Sequence, residues 1–162
     1  MKVVYVGSFD PLHFGHKNTY EKALRLLNIP IEIAICMNPL KKEYMFSLEE
    51  RRTIAESVFS NACINLYDGQ EEIIGLINNA DMLVRGYCGE SDIMYAKKLL
   101  KLYNCESKFA SVLFIKIDDK FEKISSSSIK DSIQYEPQVA KENLSEIGYE
   151  MLLKKYKERG YI

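Results

Sequence analysis

The loop Gly7-Ser8-Phe9-Asp10-Pro11-Leu12-His13-Phe14-Gly15-His16 joins a short apolar strand at residues 3–6 to a helical pattern. Gly7 lets the backbone turn tightly off the strand, and Gly15 has no Cβ to keep a ligand away from the helix. Free N–H groups and the helix dipole favour negative charge at such a helix start. The loop therefore predicts a phosphate-binding site at the end of the first strand.

The two histidines of the chain both lie in this loop. His13 and His16 are about one helical turn apart, so both side chains can face the same cleft and donate to phosphate oxygens. A single histidine in a sequence is more often a surface or capping residue than a ligand-binding one. The pairing of both histidines with Gly15 favours a binding site here.

Two motifs carry a resemblance to a known family. His13-Phe14-Gly15-His16 resembles the His-x-Gly-His signature of the nucleotidyltransferase superfamily, and Ile124-Ser125-Ser126-Ser127-Ser128-Ile129-Lys130 is similar to its second signature. Between them, residues 41–51 and 83–86 are similar to stretches of the phosphopantetheine adenylyltransferase family. The resemblance covers roughly residues 2–135.

Short β-branched runs alternate with helical patterns along the chain, which is typical of a parallel sheet covered on both faces. The candidate strands are residues 3–6, 31–36, 64–67, 82–84 and 112–117. Ser47 and Glu50 form a capping box at the start of one helix. With the family resemblance, these patterns predict an α/β fold: a Rossmann-like, doubly wound, five-stranded parallel sheet of the nucleotidyltransferase type. We expect a single domain over residues 1–162, with a C-terminal helical segment at about 137–158.

Charge and cysteine content exclude several protein classes. The net charge of −1 leaves no broad basic surface for nucleic acid or membranes. No stretch approaches the ~20 apolar residues that span a bilayer. The four cysteines are widely spaced, which argues against a zinc site and a disulfide framework. The sequence therefore predicts an untargeted cytoplasmic protein without metal ligands of its own.

The resemblance implies a reaction: transfer of AMP from ATP to 4′-phosphopantetheine, giving dephospho-coenzyme A and pyrophosphate, with Mg²⁺ bridging phosphates. It implies two catalytic residues, because His16 would contact the α-phosphate and Lys41 would bridge the donor and acceptor phosphates. It further implies small-molecule partners only, a nucleotide and a phosphate acceptor, and a homo-oligomer, since the family forms hexamers. By the same resemblance the nucleotide-binding residues are Ser8, Phe9, His13, His16, Arg85, Ser126, Ser127, Ser128 and Lys130, and the acceptor-binding residues are Ser8, Lys41 and Arg85.

The serine run and the two basic residues near it have a physical reason to bind phosphates. Ser126, Ser127 and Ser128 precede an amphipathic stretch beginning at Ile129, so their hydroxyls and amides would surround a helix N-terminus. Lys130 stands where many relatives carry arginine, and it keeps the charge without the bidentate fork. Arg85 directly follows the strand at 82–84, from where it can reach the cleft.

Three positions depart from the family pattern and leave the acceptor open. Cys88 stands where the adenylyltransferases carry a second arginine, Ala96 where they carry a glutamate, and Tyr103 where they carry an asparagine. One alternative is therefore transfer of AMP or CMP to another phosphorylated acceptor, such as a sugar- or glycerol-phosphate. Another is a nucleotide-binding module that has lost catalysis.

Overall fold

Five parallel strands form the centre of the molecule. In a computed structural model, which describes residues 1–162, the strands are β1 (Val3–Gly7), β2 (Ile31–Cys36), β3 (Ile64–Tyr67), β4 (Met82–Tyr87) and β5 (Val112–Lys116). They pair in the order β3-β2-β1-β4-β5, and every neighbouring pair is parallel. The strand order reverses between β1 and β4, which is where such sheets bind ligands. The predicted Rossmann-like α/β sheet is confirmed.

Helices cover both faces of this sheet. They are α1 (Phe14–Leu27), α2 (Leu48–Val58), α3 (Gln70–Asn79), α4 (Glu90–Leu102), α5 (Ser126–Tyr135), α6 (Pro137–Asn143) and α7 (Glu146–Glu158). Alternate residues of β1 face opposite sides, so Tyr5 packs in a core with α1, α2, α5 and α7, whereas Val4 packs in a second core with α3 and α4. None of the seven helices has the length and apolar character required to cross a bilayer.

Several boundaries differ from those expected. β4 continues to Tyr87, three residues beyond its predicted end, because residues 83–87 pair in register with residues 112–116 of β5. Arg85 consequently lies within a strand rather than after it. β1 is one residue longer than predicted, and β5 ends one residue earlier. α5 begins at Ser126, three residues before the expected start at Ile129, because Ser125 already caps it.

The predicted C-terminal helical segment consists of two helices, α6 and α7. α7 is capped by Ser145 and packs on α2, where Gly148 lies close to Ile54. It also contacts α5, since the Tyr156 hydroxyl donates to the carbonyl oxygen of Lys130 at 2.6 Å. α7 therefore packs against α2 and α5, and the start of α5 borders the cavity described next.

Candidate active site

A cavity of about 350 Å³ opens at the carboxyl ends of β1 and β4. Seven of the residues singled out from the sequence line it: Ser8, Phe9, His13, His16, Lys41, Arg85 and Ser126. Three others, Ser127, Ser128 and Lys130, do not lie in its wall. The sheet thus brings the two distant signature motifs to one place.

Both histidines are fixed at the start of α1 by hydrogen bonds to the backbone. His13 is the N-cap, and its Nδ1 accepts the N–H of Gly15 at 3.1 Å. The Nδ1 of His16 accepts the N–H of His13 at 3.1 Å, and the two rings stack with centroids 3.7 Å apart. Because each Nδ1 is an acceptor, a neutral ring carries its proton on Nε2. Each histidine therefore offers one Nε2–H for a ligand.

The protonation of this pair follows from its burial. Burial lowers the pKa of His13 to about 3. Burial is also the largest cause that holds the pKa of His16 well below its usual range, followed by the charges of His13, Lys41 and Arg85. Both rings are therefore neutral at pH 7, and they act as hydrogen-bond donors rather than as cations.

The glycines of the loop make room for these side chains. A Cβ on Gly7 would lie 2.7 Å from the ring of Phe9, and a Cβ on Gly15 would lie 2.9 Å from Cε1 of His13. Phe9 has a φ of 46°, and its ring meets His16 edge-on at 5.0 Å between centroids. The sequence suggested that Gly15 admits a ligand to the helix. In the structure the space beside it holds the imidazole of His13.

Two cationic side chains, Lys41 and Arg85, border the cavity. Burial is the main cause that lowers the pKa of Lys41, and the charge of Asp10 opposes the shift. Arg85 extends from β4 beneath the end of β1, and its Nη1 donates to the carbonyl oxygen of Val6 at 3.0 Å. The cavity lining therefore carries positive charge suited to a phosphorylated ligand.

Lys130 contacts a buried carboxylate rather than the cavity. Asp10 is 0% exposed, and it accepts the N–H groups of Met45 at 3.1 Å and Phe46 at 2.9 Å. The Nζ of Lys130 lies 3.2 Å from Oδ2 of Asp10. Sequence reasoning did not single out Asp10, although a carboxylate inside the motif was a signal. Asp10 therefore links three parts of the structure: the loop that carries it, the segment that follows Lys41, and α5.

The serine run forms the first turn of α5. Ser125 and Ser128 make a reciprocal capping box, with Oγ of Ser125 accepting the N–H of Ser128 at 3.0 Å. The hydroxyl of Ser126 donates to the carbonyl oxygen of Pro11 at 2.8 Å, whereas Ser127 is exposed. Ser125 and Ser126 border the cavity, so a second helix N-terminus faces the ligand space next to that of α1.

The three departures from the family pattern lie in two different places. Cys88 lines the main cavity, and its N–H donates to Oδ2 of Asp92 at 2.7 Å. Ala96 and Tyr103 are buried and line a smaller apolar cavity of about 50 Å³, which Arg85 also borders. The Tyr103 hydroxyl donates to the carbonyl oxygen of Met37 at 3.1 Å. Cys88 is therefore the departure that directly changes the charge of the main cavity.

Arg51 is a site residue for which the sequence analysis gave no role. It is 1% exposed, and its Nη1 donates to the carbonyl oxygen of Ser8 at 2.8 Å. The signal was its spacing, because Arg51 lies three residues from both Leu48 and Ile54 on the apolar face of α2.

Comparison with known proteins places this geometry in a family. The cytidylyltransferase-like family model matches residues 4–132. A phosphopantetheine adenylyltransferase from Shouchella clausii is 32% identical over 143 residues, covering 86% of this chain and 89% of the relative. The enzymes of that name from Flavobacterium johnsoniae and Geobacter metallireducens are 31% and 30% identical, over 83% and 79% of this chain.

Among solved structures, the protein is similar to Thermotoga maritima TmcAL bound with alpha-thio ATP, with a TM-score of 0.64 and 13% sequence identity. That match covers 98% of this chain and 56% of the TmcAL chain, so this protein spans just over half the length of that structure. At this identity the likeness shows a shared fold. With the family model and the curated relatives covering most of the chain, the protein belongs to the cytidylyltransferase-like family and, within it, to the phosphopantetheine adenylyltransferases, which are nucleotidyltransferases.

Proposed function

We propose that the protein transfers AMP from ATP to 4′-phosphopantetheine, releasing pyrophosphate and forming dephospho-coenzyme A. The observation that carries the proposal is the neutral pair of His13 and His16, which presents two Nε2–H donors at the start of α1, in the same cavity as Lys41. The names of the relatives supply the acceptor and the nucleotide.

The proposed reaction needs positioning and charge stabilisation rather than a covalent intermediate. A phosphate oxygen of the acceptor attacks the α-phosphorus of ATP, a new P–O bond forms, and the bond to the β-phosphate breaks with its electron pair leaving on pyrophosphate. His16 donates to the α-phosphate as charge builds, and His13 donates to the neighbouring nucleotide phosphates. Lys41 neutralises charge between donor and acceptor.

The two helix N-termini that face the cavity fit a triphosphate. The start of α1 carries the histidines, and the start of α5 carries Ser125 and Ser126. We assign the β- and γ-phosphates to the N-terminus of α5, where Ser127 contributes its backbone N–H group in the first turn. Ser8 and Arg85 then face the acceptor phosphate. In this assignment Phe9 packs against the ring of His16, Ser128 completes the cap of α5, and Lys130 neutralises the charge of Asp10.

Mg²⁺ enters the proposal as part of the substrate, bound to the phosphates of ATP. The described residues contain no group of three or more His, Cys, Asp or Glu side chains placed to hold a metal ion. Asp10, the buried carboxylate of the site, is engaged by Lys130 and by two backbone N–H groups.

A second candidate acceptor is favoured by one observation. Cys88 lines the cavity where the adenylyltransferase pattern has an arginine, so the cavity has one positive charge fewer for phosphates. A sugar- or glycerol-phosphate acceptor, with AMP or CMP as the transferred group, is the resulting alternative.

Product formation separates these candidates. The purified protein is incubated with MgATP or MgCTP and each acceptor in turn, and pyrophosphate release and the nucleotidyl product are quantified. We expect dephospho-coenzyme A from ATP and 4′-phosphopantetheine. A sugar- or glycerol-phosphate product in its place would move the assignment to the alternative, and nucleotide binding without any product would identify a non-catalytic module.

We further propose a cytoplasmic place of action and a homo-oligomeric assembly. All four cysteines are free thiols in the structure, which suits a reducing compartment. The oligomer follows from the family resemblance, and sedimentation velocity on the purified protein measures its size.

A further inference from the structure

Tyr44 contacts two cations beside the cavity. The guanidinium carbon of Arg51 lies 4.4 Å from the centroid of its ring, and the Nζ of Lys41 lies 5.6 Å from the same centroid. Both distances are within the range of about 6 Å over which an aromatic ring attracts a cation. Tyr44 itself does not line the cavity, so it is placed to act on Lys41 rather than on a ligand.

Arg51 fixes one side of this arrangement. Its Nη1 donates to the carbonyl oxygens of Ser8 at 2.8 Å and Cys36 at 3.3 Å, and its Nη2 lies 3.2 Å from Sδ of Met37. Arg51 makes no ion pair with a carboxylate. Its planar, buried guanidinium is therefore held by carbonyl oxygens at the ends of β1 and β2, and it gives Tyr44 a rigid surface to pack on.

The Tyr44 hydroxyl fixes the other end of the ring. It accepts the backbone N–H of Asn38, and it lies 3.2 Å from the carbonyl oxygen of the same residue. The backbone N–H of Lys41 donates to that carbonyl oxygen as well, at 3.0 Å. The Tyr44 ring and the turn that carries Lys41 are therefore both hydrogen-bonded to the backbone of Asn38.

Lys41 needs such support. It lies in the segment between β2 and α2, which has no helix or strand of its own. Holding a long, flexible lysine side chain in one rotamer costs conformational entropy. A ring that is already fixed reduces the number of positions that the ammonium samples before the ligand arrives.

We infer that Tyr44 is a positioning residue for the transfer reaction: supported by Arg51, its ring holds the Lys41 ammonium at the edge of the cavity. The inference rests on the proposed function, in which Lys41 contacts the reacting phosphates. It goes beyond that function because it assigns the positioning of the Lys41 ammonium to Tyr44 and Arg51, two residues that touch no substrate.

A double-mutant cycle tests whether Tyr44 acts through Lys41. In the otherwise unchanged protein, Tyr44→Leu removes the ring, and we expect kcat to fall about tenfold with little change in the KM for ATP. In the Lys41→Ala background the same substitution should cause no further loss, because the group that it positions is gone. Tyr44→Phe keeps the ring and should retain kcat within about threefold.

Matched variants and a second readout keep the test decisive. Arg51→Met should resemble Tyr44→Leu, whereas Arg52→Met, at the neighbour that pairs with Glu49 and does not line the cavity, should not change kcat. If Tyr44→Leu fails to fold, Tyr44→Met replaces it. If Lys41→Ala turns over too slowly to measure, the same double-mutant cycle uses the affinity for inorganic pyrophosphate, measured by calorimetry, in place of kcat.

Two outcomes decide between the proposals. An equal loss of kcat, or of pyrophosphate affinity, from Tyr44→Leu with and without Lys41 would overturn the inference. An inactive but pyrophosphate-binding wild-type protein would instead contradict the proposed function.

Discussion

At the scale of single residues, the site depends on two neutral histidines that are oriented by their own backbone. We predict that His16→Ala keeps the fold and lowers kcat roughly 10²-fold, the scale observed when one preorganised donor to developing charge is removed. His16→Gln, which can still offer an N–H, should recover part of the loss. Steady-state kinetics on both folded variants checks this. A His16→Ala protein with wild-type turnover would remove His16 from the mechanism.

Cys88 is a residue at which the charge of the cavity can be raised. Asp92 and Glu122 are close enough to raise the pKa of its thiol, after the larger effect of burial. The position is therefore already suited to a cation. We predict that Cys88→Arg raises kcat/KM for 4′-phosphopantetheine about 10-fold or more, because a charged hydrogen bond contributes ~1.5–3 kcal/mol. Cys88→Ser is the neutral control, and an unchanged kcat/KM in the arginine variant would show that this position does not contact the reacting phosphates.

At the scale of secondary-structure elements, the start of α5 carries its own prediction. Ser127 is exposed in the first turn. The negative charge of Ser127→Asp should interact favourably with the helix dipole, and it should at the same time repel a bound triphosphate. We expect ATP affinity, measured by calorimetry, to fall several-fold, whereas Ser127→Asn, which has the shape of aspartate without its charge, should leave it unchanged. Equal ATP affinity in both variants would place the triphosphate away from α5.

The elements also show what sequence patterns can and cannot predict. The strands are predictable because β-branched runs alternate with helical spacing, and the loop at 7–16 together with the second signature motif supplies part of the cavity wall. The end of β4 was missed because Gly86 looks like a strand terminator locally, while pairing with β5 continues to Tyr87. α3 was not singled out, although Ile73, Leu76 and Ile77 have helical spacing in a short segment.

Long-range contacts account for the remaining misses in the site. Asp10 and Lys130 are 120 residues apart, and nothing local in the sequence says that the lysine meets a buried carboxylate. The spacing of Arg51 places it on the apolar face of α2, but nothing local in the sequence shows what a buried guanidinium contacts there. Only the folded chain shows that its guanidinium reaches Ser8.

At the scale of the whole molecule, the buried histidines link folding to pH. An unfolded chain protonates histidine near its ordinary pKa of about 6.5, whereas burial lowers the pKa of His13 to about 3 in the folded protein. Between these values the unfolded state binds the extra proton, so this contribution to stability is complete above about pH 6.5 and is lost progressively as the pH falls toward 3. Because α1, β1 and the cavity share the core that contains Tyr5 and Phe9, the loss should affect cooperative unfolding as a whole.

We therefore predict that the free energy of unfolding falls on acidification from pH 7 to pH 5, by about 2 kcal/mol for each histidine that the fold keeps neutral. His13→Asn removes one titrating group and supplies a side chain that can still cap α1, so its decrease should be smaller by about that amount. Denaturant unfolding of both proteins at the two pH values measures the difference. The same decrease in wild type and variant would mean that His13 is not kept neutral by the fold, and the assignment of the pair as neutral Nε2–H donors would fail with it.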